Sequence, residues 1–114
     1  MVNGIHFILD AECSEREKLK DERLMHKVLN DLPELVGMSK LTKPLVVKGA
    51  AHNPGLTGVV VIETSNIVFH TFTDSNKFSL DVFSVKEFDQ EKVISYLRKH
   101  FNFRIIRNNL FERL

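Results

Sequence analysis

Three strand-forming runs follow one another between residues 56 and 85, and their spacing constrains the fold more than any other feature of the chain. They are Leu56–Glu63 (LTGVVVIE), Asn66–Thr73 (NIVFHTFT) and Phe78–Val85 (FSLDVFSV). β-branched and aromatic residues dominate all three, as half-buried strands require. The connections between them are too short for a crossover helix. Neighbouring runs must therefore pair antiparallel, with Asp74–Lys77 (DSNK) as a hairpin turn.

The flanking segments complete the pattern. Gly4–Asp10 (GIHFILD) is a short apolar run and reads as a strand. Residues 14–37 read as one helix whose apolar stripe is Leu24, Met25, Val28, Leu29 and Leu32. Ser14 with Glu17, or Asp21 further on, supplies its cap, and Pro33 and Gly37 mark its end. The mixed charges of residues 15–23 form its solvated face. Pro44–Ala50 reads as a strand, and His52–Gly55 (HNPG) as a turn. Asp89–Phe101 reads as a second helix, capped by Asp89 and buried through Val93, Ile94 and Leu97. Phe103–Phe111 closes the chain as a strand. The expected fold is α+β: one domain over residues 1–114, a two-layer sandwich with an antiparallel sheet and two helices packed on one face. The other face then needs cover, and a second copy of the chain is the economical cover, which makes a homodimer the expected partner.

Composition removes several function classes. The chain has 114 residues, 43% of them hydrophobic and 27% charged, the balance of a folded domain that buries its own core. A net charge of +1 does not suggest a nucleic-acid binder driven by bulk charge. No apolar segment approaches a membrane span, so no membrane partner is expected. With Cys13 as the single cysteine, no disulfide forms within the chain, and a reducing, cytoplasmic setting is expected. His6 and His52 are too scattered for metal ligation, so no metal is expected.

Within ETSNIVFHT (Glu63–Thr71), a serine and a histidine lie on one strand. Strand alternation places Ser65 with Ile67 and Phe69, and His70 with Asn66 and Val68. Taken alone, Ser65 reads as a turn residue and His70 as a satisfied core or interface histidine. A serine hydrolase would need the two in contact plus an orienting acid, for which Asp81 is the candidate. Cys13 reads as a small buried apolar residue, and Arg104 and Arg107 as solvent-facing or as a small anion site.

The segments NPGLTGVVVIETSNIVFHTFTD and LDVFSVK, with the opening GIHFILDAEC, resemble the small prokaryotic S-adenosylmethionine decarboxylases. That family carries P-x-G-V-T/S-G, a run of aliphatics, E-S-H-I-S-I-H-T-W-P-E, then D-I-F-T-C-G, after a start of the form G-x-H-x-x-x-D-x-x-x-C. The spacing from Thr57 to Ser65, His70 and Asp81 fits without gaps. The resemblance implies an enzyme, a carbon–carbon lyase, whose serine is not a hydrolytic nucleophile. The Ser65 hydroxyl would attack the carbonyl before it, turning the peptide bond into an ester. β-Elimination would then cut the chain and leave residue 65 as an N-terminal pyruvoyl group, an electron sink in place of pyridoxal phosphate. By the same resemblance Thr57 assists processing and His70 is the base for elimination. Asp74, Phe72 and Asn66 occupy the substrate-binding positions. The expected function is decarboxylation of S-adenosylmethionine in spermidine biosynthesis, with no metal cofactor.

The chain departs from the family pattern at Thr64, Asn66, Phe72 and Thr73. The sharpest departure is Val85, where the family's proton-donating cysteine stands. Valine has no proton to give, and Ser84 beside it is expected to point to the other face. The alternatives are an unprocessed, non-catalytic paralogue that binds a nucleoside or regulates a true enzyme, and a decarboxylase shifted to ornithine or arginine.

Overall fold

The computed structural model describes residues 3–114. Its elements are β1 (Gly4–Glu12), α1 (Arg16–Leu19), α2 (Glu22–Leu35), β2 (Leu45–Lys48), β3 (Leu56–Ile62), β4 (Ser65–Phe72), β5 (Lys77–Ser84), α3 (Gln90–Arg98) and β6 (Arg104–Arg113). The strands form one sheet in the order β2-β3-β4-β5-β1-β6, antiparallel at every seam. The expected α+β architecture is the observed one, and the β3–β4–β5 meander has the expected connectivity.

The helical layer differs in one respect. The segment 14–37 is two helices, so three pack on the sheet. The helix is interrupted at Lys20–Asp21, and Asp21 caps α2 by accepting from the Leu24 amide at 3.0 Å. Ser14 caps nothing; Glu15 stands at the N-cap of α1 without a side-chain bond. The break has a purpose in packing. It turns Leu19 fully into the core, where an unbroken helix would have left it on the charged face. Pro33 sits inside the last turn of α2, not beyond it.

One face of the sheet is the core. Phe7, Leu9, Val60, Ile67, Phe69, Phe78 and Leu80 pack there against Leu19, Val28, Leu29, Leu32, Val93 and Leu97, all essentially without solvent contact. Phe69, Phe78 and Phe101 meet edge-on or tilted with centroids 5.4–5.9 Å apart, the geometry aromatic rings prefer. Gly58 permits the close seat of α2. A Cβ there would lie 2.4 Å from Leu29 Cδ1 and 2.8 Å from Met25 Sδ.

Among the described residues, none forms a layer over the opposite face. Burial alternates strictly along β4: Ser65, Ile67, Phe69 and Thr71 face the helices, while Asn66, Val68, His70 and Phe72 face outward. By register, Leu45, Val47, Thr57, Val59, Val61, Ser79, Asp81, Phe83, His6, Ile8 and Asp10 share that open face. Several are large and apolar, and Leu45, Val47 and Val61 are exposed.

Candidate functional site

The residues singled out in the sequence fall into two groups at opposite ends of β4. The first group is Thr57 and His70. They are directly opposed in the β3–β4 ladder, and Thr57 Oγ1 lies 2.9 Å from His70 Nδ1. Both are half-buried on the open face. The His70 ring stacks on Phe72 with centroids 6.3 Å apart. A cavity of about 430 Å³ opens beside them, lined by His52, Asn53, Gly55, Thr57, His70 and Phe72 among others. Gly55 shapes this wall: its φ is +138°, and a Cβ there would lie 1.9 Å from the Thr71 carbonyl oxygen. The wall is tied down from below. Thr71 Oγ1 accepts from the Leu56 amide at 2.9 Å and donates to the Leu19 carbonyl at 2.7 Å. Asp74 lies exposed in the β4–β5 turn beyond this group.

The second group surrounds Ser65. Residues 63 and 64 form the tight turn from β3 to β4, and Ile62 pairs with Ser65 across it. Thr64 has φ +46°, a left-handed conformation that costs a β-branched residue energy. Ser65 is 7% exposed, and its Oγ accepts from the Val85 amide at 3.1 Å. Glu63 Oε1 accepts from the Ser39 amide at 3.1 Å, and that bond lowers the Glu63 pKa. Ser84 is fully buried, one step past the Asn66–Phe83 pair, and so lies across the strands from Ser65. Its hydroxyl donates to the Lys86 carbonyl at 2.7 Å. Val85 lies beyond the end of β5, its side chain exposed. Asn66 is the one expected substrate-binding residue at this end, on the open face opposite Val61 and Phe83.

Within one chain these groups do not meet. Five residues of extended strand separate Ser65 from His70, about 16 Å at the usual rise. The odd spacing also puts their side chains on opposite faces, as alternation requires. Asp81 is not the acid that orients His70, because its Oδ1 pairs with His6 Nε2 at 3.1 Å. Cys13 is buried at the His70 end, its amide bonded to the Asn76 carbonyl in the β4–β5 turn. Burial, above all, raises its thiol pKa. Arg104 pairs with Glu12 at 3.3 Å, which leaves no purely cationic pocket there. Ser79, which belongs to no motif in the sequence, faces outward next to His70 and donates to Asp10 Oδ1 at 2.7 Å.

Residues 5–114 match the family profile described as S-adenosylmethionine decarboxylase. The S-adenosylmethionine decarboxylase proenzyme of Clostridium botulinum (strain Loch Maree / Type A3) is 24% identical over 103 residues, covering 90% of this chain and 86% of that protein. The proenzyme of Methanococcus maripaludis (strain C5) is 32% identical over 85 residues, covering 74% of this chain and 66% of its own length. The crystal structure of the adenosylmethionine decarboxylase from Aquifex aeolicus VF5 superposes with a TM-score of 0.79 at 19% identity, over 98% of this chain and 91% of that one. The fold is thus the same, and the sequence match runs through both ends of β4. On this match over nearly its whole length, the chain belongs to the S-adenosylmethionine decarboxylase family.

Proposed function

We propose that the chain is a self-processing, pyruvoyl-dependent decarboxylase of S-adenosylmethionine, acting in spermidine biosynthesis in the cytoplasm as a homodimer. The observation that carries this reading is the pairing of Ser65 with a strained residue before it. The Thr64–Ser65 peptide bond follows a left-handed threonine, and Ser65 Oγ is buried and held by the Val85 amide. Strain in that turn favours its opening, and burial limits competition from water.

The steps balance as follows. Ser65 Oγ attacks the Thr64 carbonyl carbon, the C–N bond breaks, and the nitrogen of residue 65 takes the hydroxyl proton. Loss of the residue-65 Cα proton to a base then breaks the Cβ–O bond and releases Thr64 as a carboxylate. The dehydrated residue takes up water and loses ammonia, which leaves the pyruvoyl group. Once formed, that group supplies the electron sink for decarboxylation. The Ser65 end holds the attacking hydroxyl in place: Ser65 is buried, and the Val85 amide donates to its Oγ.

The base in this reading is His70, with Thr57 as its hydroxyl partner. The separation within one chain means that His70 reaches a Ser65 only from a second copy. The uncovered face supports this, because it carries the Thr57–His70 pair among Val47, Val59, Val61 and Phe72. Two chains laid face to face about a twofold axis would bring one Thr57–His70 pair towards the other's β3–β4 turn, at whose end Ser65 stands. Phe72 would then offer a ring for a flat heterocycle, Asn66 an amide for hydrogen bonding, and Asp74 a carboxylate for a cationic substrate.

Val85 favours a second reading, an uncut paralogue that binds a nucleoside or regulates an active enzyme. The altered strand residues Asn66, Phe72 and Thr73 favour a third, a decarboxylase shifted to ornithine or arginine. Intact-mass spectrometry of purified protein beside Ser65→Ala separates cut from uncut. Fragments 1–64 and 65–114, the latter lacking its amino nitrogen, are expected from the parent and not from the variant. A single full-length species after prolonged incubation would move the assignment to the paralogue.

A further inference from the structure

A polar row crosses the open face at the level of His70. By register, Thr57 opposes His70, His70 opposes Ser79, and Ser79 opposes Asp10. All four are half-buried and point to the same side. The two outer links are hydrogen bonds: Thr57 Oγ1 to His70 Nδ1 at 2.9 Å, and Ser79 Oγ donating to Asp10 Oδ1 at 2.7 Å. The middle pair are direct cross-strand neighbours with no hydrogen bond between them here; Cβ atoms lie about 5 Å apart in such ladders, and a relay along the row supplies the missing bond. His70 Nδ1 is taken by Thr57, so Nε2 is the ring atom left to meet Ser79. The Ser79 proton is committed to Asp10, so its oxygen is free to accept.

We propose that Ser79 and Asp10 are positioning residues for His70, forming a relay Asp10–Ser79–His70–Thr57 across four strands. This rests on the reading of His70 as a base. In the relay the Thr57 hydroxyl donates to Nδ1, the Nε2 proton donates to Ser79 Oγ, and the Ser79 hydroxyl donates to the Asp10 carboxylate. The direction of every proton follows from one fixed end, because an ionised carboxylate only accepts. The relay holds His70 in the Nε2–H tautomer and leaves Nδ1 as the basic atom, which takes its proton through the Thr57 hydroxyl that faces it. A histidine base commonly owes its tautomer to such an outer partner. Asp81, the nearest alternative acid on this face, is engaged by His6.

The test uses full-length Ser65→Ala protein labelled at histidine nitrogen, so that every molecule is uncut. Ring nitrogen shifts of His70 above its titration range report which atom holds the proton. The expected result is the Nε2–H form in the parent, and a mixture of tautomers in Ser79→Ala and in Asp10→Asn. Ser79→Thr, which keeps the hydroxyl, is expected to restore the parent signature, and His6 serves as the internal control. A parent ring protonated at Nδ1 overturns the relay without need of any variant. So does a His70 signature unchanged by both Ser79→Ala and Asp10→Asn. With Ser65 intact, Ser79→Ala is expected to slow chain cutting about tenfold, the usual loss when an outer partner of a functional histidine is removed. If the parent is never cut, the self-processing reading fails, while the tautomer measurement still decides the relay.

Discussion

The backbone amide of Val85 donates to the hydroxyl of Ser65 at 3.1 Å, across twenty residues of sequence. In the proposed decarboxylase reading position 85 would carry the proton-donating thiol, and its backbone lies beside the serine. Val85→Cys is expected to raise decarboxylation of S-adenosylmethionine by about a hundredfold, the lower range for a positioned general acid. It is expected to leave the rate of chain cutting unchanged. Carbon dioxide release from processed parent and variant, measured side by side, checks this; an unchanged rate means that another group already protonates the product.

Thr64 holds a conformation that glycine adopts freely. In the uncut Ser65→Ala background, Thr64→Gly is expected to raise stability by about 0.5–1 kcal/mol, the left-handed penalty less the entropy of glycine in the unfolded chain. With Ser65 present, the same change is expected to slow cutting, because the strain that favours opening the turn is gone. Urea denaturation reads the first effect and intact mass the second.

Thr71 is the bolt between three elements. Its buried hydroxyl joins Leu56 of β3 to Leu19 of α1 from its place on β4. Thr71→Val keeps the shape and strands both partners, at an expected cost of about 2–4 kcal/mol. Gly55→Ala is expected to cost at least as much, since the new methyl would sit 1.9 Å from the Thr71 carbonyl oxygen. Both are measured by thermal or denaturant unfolding of the uncut protein.

The two helices α2 and α3 are joined by Tyr96, whose hydroxyl donates to Asp31 Oδ2 at 2.5 Å, while Lys27 donates to the same oxygen at 3.0 Å. Partial burial pushes the Asp31 pKa up, but the bonds from Tyr96 and Lys27 outweigh it and leave the group below its ordinary 3.8. Tyr96 is pushed up, by burial first and by Asp31 second. Glu15 also lies below its ordinary 4.5, chiefly through the Asn102 amide. A depressed carboxyl stabilises the fold above its unfolded pKa, and this contribution disappears as pH falls through the folded value. Stability is therefore expected to fall on acidification below the ordinary carboxylate range. Tyr96→Phe is expected to remove about 1.5 kcal/mol at neutral pH and to flatten the acid limb. Melting temperatures across pH 2–7 for parent and variant (a span that brackets the carboxylate range) check both.

Alternation was the most legible signal in the chain. The placement of Ser65 with Ile67 and Phe69, and of His70 with Asn66 and Val68, follows from a period of two and is what β4 shows. The break between α1 and α2 was hidden because residues 15–23 hold one apolar residue, Leu19, too few to show a phase change. The Asp10 end of the proposed relay was hidden for a different reason. Asp81 is eleven positions from His70 and looked close, whereas Asp10 comes near only because β1 inserts beside β5. No local pattern reveals that insertion. It is a property of the assembled sheet.

That insertion has one more consequence. A break after Thr64 would leave β1, β2 and β3 on the first piece and β4, β5 and β6 on the second. In the order β2-β3-β4-β5-β1-β6, the two pieces alternate, with β1 of the first clasped between β5 and β6 of the second. Three hydrogen-bonded seams, β3–β4, β5–β1 and β1–β6, would join them. Such pieces are interlaced like the fingers of two hands. Cutting the backbone would give a new chain end beside Val85 while the body kept its shape, and neither piece would leave without the whole sheet coming apart.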